Sequence, residues 1–339
     1  MKKLGILVCA MILSVTFLFA GCSNNNSNTI RLNEVTHSIF YAPLYVAINN
    51  KYFEDEGLKI ELTNGGGADK SMASVLSGEA DIGLMGPEAC IYVVSEGAKN
   101  SPVIFGQLTK RDGSFLMSKT KETNFDWANL KGKEIIGGRR GGVPAMVLEY
   151  VLKKNGLKPG DEIGGNVDTK LNLEYAFNMV APAFEASTNA YCTMFEPTAS
   201  DYEVAGKGYN VASVGQESGE IPYTAFMAKK DYVKNNNEKI EKFLTAVMKG
   251  YYFIINNDLD TVANSLKDSF AGTSLESIKK AIQSYKMIDA WNNTPVMNAN
   301  ALDKLQTIMV EAGYLTKKVE FSKLVDNTIA MKVMEKLNS

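Results

Sequence analysis

Two hydrophobic patterns alternate along the chain from residue 30 onward: short apolar runs bounded by glycine, proline or polar clusters, and longer stretches with apolar residues three or four apart. The first pattern predicts strands over 30–36, 59–62, 81–85 and 103–108, and the second predicts helices from Pro43, after Gly65-Gly66-Gly67 and after Gly86-Pro87-Glu88. Near Phe115 the alternation restarts, with strands predicted over 134–136, 191–195 and 209–213 and helices over 143–155, 173–184 and 197–205. A strand over 223–228 follows. Beyond it the pattern is helical, over 238–255, 259–266, 274–285 and 301–312. Alternation of this kind predicts an α/β fold of two lobes, each a mixed, mostly parallel sheet flanked by helices. Helices without new strands need a sheet made elsewhere, so lobe 1 is expected to hold 29–114 plus 226–339 and lobe 2 to hold 115–225. The crossings near 113–118 and 221–225 would form a hinge.

The N-terminal pattern is of another kind. Lys2 and Lys3 precede an apolar run over 4–19, too short for the ~20 residues of a membrane-spanning helix, and Ala20-Gly21 precede Cys22. Residues 1–21 read as an export signal with a lipobox-like end, Cys22 as the lipidated N-terminus, and 22–28, rich in Asn and Ser, as a flexible tether. The expected location is the extracytoplasmic face of the cell membrane, held by a lipid anchor.

Composition narrows the chemistry. The 339 residues are 45% hydrophobic and 22% charged, and carry 36 Lys+Arg against 38 Asp+Glu for a net charge of -2. That balance gives no basic excess for nucleic acid. One His and four Cys leave little material for a metal site or a His-dependent nucleophile, so no metal, no cofactor and no catalytic residue are expected. Cys90 and Cys192 lie in apolar settings and read as buried structural thiols. A monomer is expected.

Candidate binding residues fall at strand ends, where open α/β sheets hold ligands. One unit occurs in both lobes: a strand end, an acid and a proline, as Gly86-Pro87-Glu88 and as Phe195-Glu196-Pro197. Both are also simply good helix starts. Ser38 and the backbone after it can donate to an anion, Gly66 allows close backbone approach, and Gly138-Arg139-Arg140-Gly141-Gly142 offers guanidiniums and bare N–H groups. Glu88 and Glu196 favour instead a ligand with N–H donors or positive charge, with Phe40, Tyr41 or Tyr223 against its face. The glycine loops fit neither nucleotide-binding spacing.

The blocks Phe40-Tyr41-Ala42-Pro43-Leu44-Tyr45-Val46-Ala47, Gly78-Glu79-Ala80-Asp81-Ile82-Gly83, Gly86-Pro87-Glu88, Leu130-Lys131-Gly132-Lys133 and Phe195-Glu196-Pro197 follow in an order that resembles the NMT1/THI5-like, nitrate/sulfonate/taurine-type substrate-binding proteins. The resemblance implies a type II periplasmic-binding-protein-like fold that closes over a small solute and presents it to an ABC permease with its ATPase. It leaves the solute open between a thiamine-pyrimidine-like nitrogen heterocycle, which the two glutamates favour, and a sulfonate, taurine or other oxyanion. Eukaryotic relatives make the thiamine pyrimidine with their own His and a Cys-rich motif. His37 is present here and the Cys cluster is not, so a binding protein is expected rather than an enzyme.

Overall fold

The structure is a computed structural model that describes residues 28–188 and 190–338. The export signal, Cys22 and almost all of the tether lie outside the described residues. In chain order the strands are β1 (Thr29–Glu34), β2 (Lys59–Asn64), β3 (Ile82–Met85), β4 (Pro102–Thr109), β5 (Ser114–Ser118) and β6 (Glu134–Ile136). They continue with β7 (Pro159–Gly160), β8 (Thr169–Asn172), β9 (Ala190–Phe195), β10 (Tyr209–Ser213) and β11 (Thr224–Lys229). They form two sheets, ordered β2-β1-β3-β11-β4 and β10-β5-β9-β6-β8-β7.

Both sheets are mixed. β1 runs parallel to β2 and β3, whereas β11, arriving after the second sheet is complete, inserts antiparallel between β3 and β4. In the second sheet β6 is parallel to β8 and β9, while β5 is antiparallel to β9 and β10. Strands β3 and β4 are buried at every position, which is why they read as continuous apolar runs rather than alternating ones. The expected boundary at 114/115 falls inside β5 and that at 225/226 inside β11, because hydrogen-bond pairing carries each strand a residue or two past the change in pattern.

Three strands were not anticipated. β5 lies in the stretch read as a crossing, and β7 and β8 lie between the helix expected over 143–155 and the one expected from 173; the latter begins only at Phe177 and runs Phe177–Ala186. The C-terminal helices cover the first sheet as expected, and they also reach the second. Helix Asn237–Asn256 packs on helix Ala42–Asn49, and an added Cβ at Gly250 would overlap the Pro43 carbonyl, so the two backbones meet there. Phe243 from the same helix packs edge-on to Phe226 of β11, their ring centroids 4.9 Å apart. Helix Leu275–Met287 instead packs on helix Thr198–Val204, and helix Ala299–Glu311 on helix Val143–Lys154. Trp291, unplaced from sequence, is buried and donates to the Phe40 carbonyl at 2.9 Å. Cys90 and Cys192 are free and buried.

Candidate functional site

Three helix starts in the C-terminal region are closed by side chains. Asp258 accepts from Thr261 N–H at 2.9 Å, Ser274 from Ser277 at 3.0 Å and Asn298 from Ala301 at 3.0 Å. Three helices nearer the two sheets begin differently. Ala68–Ser77, Pro87–Ser95 and Val143–Lys154 each follow a glycine, Gly67, Gly86 and Gly142, with no side-chain cap. Their first-turn N–H groups are therefore left for something other than a local cap. All three starts border one cavity of about 480 Å³, a volume that suits a small organic molecule.

Its walls are strongly aromatic. Tyr41 and Tyr92 come from the first sheet's helices, Phe195 from β9 of the second sheet and Phe177 from helix Phe177–Ala186, Tyr223 from the second crossing, and Tyr314 from the C-terminal region. Among them lies Glu88, only 3% exposed, on the first turn of helix Pro87–Ser95. Its carboxylate curls back over Gly86, where any side chain would collide with it. Burial pushes its pKa up to about 7, partly offset by the N–H groups of Glu88, Val143 and Ala89. Its Oε2 is buried with no hydrogen-bond partner.

Behind Tyr223, at the first crossing, Asp112 is buried and pushed up to about 7 by desolvation, while Ser114 donates to its Oδ1 through both N–H (2.7 Å) and Oγ (2.6 Å). The Tyr223 hydroxyl and Asp112 Oδ2 form no hydrogen bond of ordinary geometry, yet they are near enough to shift each other's titration. Burial also drives the Tyr41 and Tyr223 hydroxyls well above the usual tyrosine value.

Contacts cross the cleft. Arg139 pairs with Asp69 at 3.1 Å, Tyr92 donates to the Gly141 carbonyl at 2.9 Å, and Ser38 Oγ donates to the Glu196 carbonyl at 2.5 Å. Arg140 pairs with Asp161 at 2.6 Å. Both arginine pairs are largely exposed, so each is worth no more than about 1 kcal/mol.

Of the residues singled out from sequence, Tyr41, Glu88, Arg139, Arg140, Gly141 and Tyr223 line this cavity. Ser38, Phe40, Gly66 and Glu196 do not. Ser38 Oγ is spent accepting from Phe40 N–H at 3.1 Å and donating to Glu196, which starts the short helical turn Ile39–Tyr41. Phe40 is core, packed against Tyr285, Phe195 and Tyr223. Gly67, not Gly66, forms the wall. Glu196 Oε2 accepts from Ser200 N–H at 2.8 Å, and Glu196 borders, with Ser38, a separate cavity of about 220 Å³. Its carboxyl is pushed up to about 7 by burial.

Sequence reasoning missed Tyr92, Phe177, Phe195, Tyr314 and Asp69. Tyr92 lies one turn after Glu88 on the same helix face, so the spacing alone could have found it. Phe195 lies beside Glu196 at the same strand end. Nothing local marks Tyr314.

His37 is held by Glu34 Oε1 at 2.9 Å and the Ser269 carbonyl at 2.7 Å, an arrangement that ties β1 to the C-terminal helices. Among the described residues no cluster of His, Cys, Asp or Glu could hold a metal ion, and no helix is long and apolar enough to cross a membrane.

Comparison with known proteins adds lineage to this geometry. YtlA of Bacillus subtilis (strain 168), provisionally named a binding protein, is 41% identical over 326 residues, 96% of each chain. The 4-amino-5-hydroxymethyl-2-methylpyrimidine phosphate synthase of Aspergillus parasiticus is 24% identical over 235 residues, 64% of this chain and 63% of its own. The alkanesulfonate-binding protein SsuA from Xanthomonas axonopodis pv. citri, bound to MOPS, shares the fold with a TM-score of 0.70 at 16% identity, covering 89% of this chain and 99% of that one. The family described as NMT1/THI5 like matches residues 39–259, a span that runs from the turn before the first helix past β11 and takes in every strand but β1. With that span and the close Bacillus relative together, the chain belongs to the NMT1/THI5-like family.

Proposed function

We propose that this chain is the solute-binding component of an ABC importer, taking a small aromatic, nitrogen-containing solute between its two sheets and delivering it to the permease. The near-full-length likeness to a provisionally named binding protein supports the class, as does a fold shared with an alkanesulfonate-binding protein. Two lobes, 29–114 with 226–339 and 115–225, would close on the solute. The chain acts as a monomer tethered by lipidated Cys22 on the extracytoplasmic face. Binding rather than chemistry is favoured because His37, the one histidine, is occupied by Glu34 and Ser269 away from the aromatic cavity.

The observation that carries the solute class is the buried Glu88 carboxylate among aromatic rings, with its Oε2 left without a partner. An N–H donor satisfies it, and a flat ring fills the space between tyrosines. A thermal-shift screen at pH 8 should find stabilisation by an aminopyrimidine or a related aromatic amine. Calorimetry should then show Glu88→Gln weakening that hit by roughly 10-fold to 100-fold, the loss expected for a charged hydrogen bond, and Arg140→Gln weakening it less. No aromatic hit, or the reverse ranking, sinks this reading. The second reading, a sulfonate or other oxyanion, is favoured by the three glycine-started helices and by Arg139 and Arg140 at the same cavity.

A further inference from the structure

We propose that Glu88 is an anion-excluding residue: its carboxylate serves as the built-in counter-charge for two uncapped helix N-termini on opposite sides of the cleft, so that oxyanions are rejected from the cavity. This deepens the solute-binding reading above and rests on it. Helix Pro87–Ser95 begins at Gly86 and helix Val143–Lys154 at Gly142, both without side-chain caps and both with a proline in the first turn that removes one donor. Each N-terminus carries roughly half a positive charge, an ordinary seat for sulfonate, nitrate or phosphate. The Glu88 carboxylate lies over Gly86 on one side and shares the cavity wall with Gly142 and Val143 on the other, near enough for the N–H groups of Glu88, Ala89 and Val143 to favour its charged form.

Two properties make this more than a helix start with an acid near it. Glu88 is 3% exposed, so its charge is poorly screened, and a second anion beside it would be strongly disfavoured. Its Oε2 is buried without a partner and borders the cavity, which leaves an acceptor, not a donor, facing any ligand. Arg139 and Arg140 add little net positive charge to the wall, since each stands beside a carboxylate, Asp69 and Asp161, and both are largely exposed to solvent. The class admitted is therefore neutral or cationic molecules with N–H donors.

The groups facing Glu88 are Tyr41, Tyr92 and Tyr223, all pushed upward and neutral across the physiological range, with Arg139, Arg140 and Asp69 farther round the wall. Asp112 lies behind Tyr223 and titrates in the same range as Glu88. The Gln variant separates the two acids.

The test uses the full chain and 1-butanesulfonate, whose charge does not change with pH, in calorimetric titrations at pH 5.5 and 8.5. Wild type should bind it at least 10-fold more tightly at pH 5.5, where Glu88 is protonated. Glu88→Gln should bind it at both pH values and show no such ratio. Equal wild-type affinity at the two pH values overturns the proposal, and so does absence of binding to wild type at pH 5.5. A folded Glu88→Gln that keeps the wild-type ratio overturns it too, by assigning the effect to Asp112. Should the Gln variant fail to fold, Asp112→Asn separates the two acids: a pH ratio kept in that variant supports the proposal, and a ratio lost overturns it. Failure of the solute-binding reading is seen separately, as the lack of any aromatic hit in the screen at pH 8.

Discussion

Three buried carboxyls, Glu88, Asp112 and Glu196, have pKa values pushed to about 7 from ordinary values of 4.5, 3.8 and 4.5. Between those ordinary values and about 7 the folded chain holds protons that the unfolded chain has released. The stability they contribute is therefore fully present below the ordinary values, falls as pH rises through about 7, and levels off above it. His37, raised by its bond to Glu34, acts in the same direction. Urea unfolding should show a midpoint that drops between pH 5 and pH 8. Glu196→Gln keeps an oxygen for the Ser200 N–H and removes the charge, so it should stabilise the chain by about 1–3 kcal/mol at pH 8 and do nothing at pH 5. An unaltered pH slope in that variant would show that Glu196 is not one of the titrating groups. At this scale the sequence was a fair guide to which acids matter and a poor one to where they point. Glu88 and Glu196 occupy matching strand–acid–proline positions, yet one carboxylate borders the large cavity and the other turns onto Ser200. The difference is set by neighbours distant in the chain, which no local pattern encodes.

Among elements, most helices and most strands were legible because burial on one face imposes a period that survives in the residue order, though helix Thr328–Asn338 was not among those expected. β6 and β10, for example, run over the residues the pattern marks, 134–136 and 209–213. β5 was not, since five residues after a glycine at a chain crossing carry too short a run to separate strand from linker. β8 was missed for a like reason: its four residues depend on pairing with β6 more than on their own propensity. The contact between helices Asn237–Asn256 and Ala42–Asn49 depends on Gly250. Gly250→Ala forces a methyl against the Pro43 carbonyl, a backbone atom that cannot swing aside, and should cost about 1–3 kcal/mol. A melting temperature equal to wild type would mean the two helices separate freely, contrary to their packing.

For the whole molecule, the chain passes between sheets at residues 110–113 and again before β11, and the passages are bonded to each other, Ile221 N–H to the Lys110 carbonyl at 2.9 Å and Tyr223 N–H to the Thr109 carbonyl at 3.1 Å. A third segment joins them, since Lys110 N–H donates to the Ala290 carbonyl at 2.9 Å. Such paired crossings suit a hinge with one axis. Saturating solute should draw the lobes together and yield small-angle scattering that matches this structure; unchanged scattering with binding confirmed by calorimetry would rule out closure. At the N-terminus, Cys22→Ala should lose palmitate labelling and leave the membrane fraction, and retained labelling would remove the anchor.

The cavity wall has one further consequence, for kinetics. It joins Val35, close to the first strand, to Tyr314, close to the last helices, so it is among the most non-local surfaces the chain makes. Contacts of such long sequence separation cost the most loop-closure entropy and tend to form late. A solute that needs the finished wall meets nothing to bind in the folding transition state. It should therefore leave the refolding rate untouched and slow only the unfolding rate, converting each tenfold excess over its dissociation constant into roughly a tenfold longer native lifetime. Stopped-flow unfolding in urea, with and without the hit from the screen, would separate this from a solute that acts as a folding nucleus, for which refolding would accelerate instead.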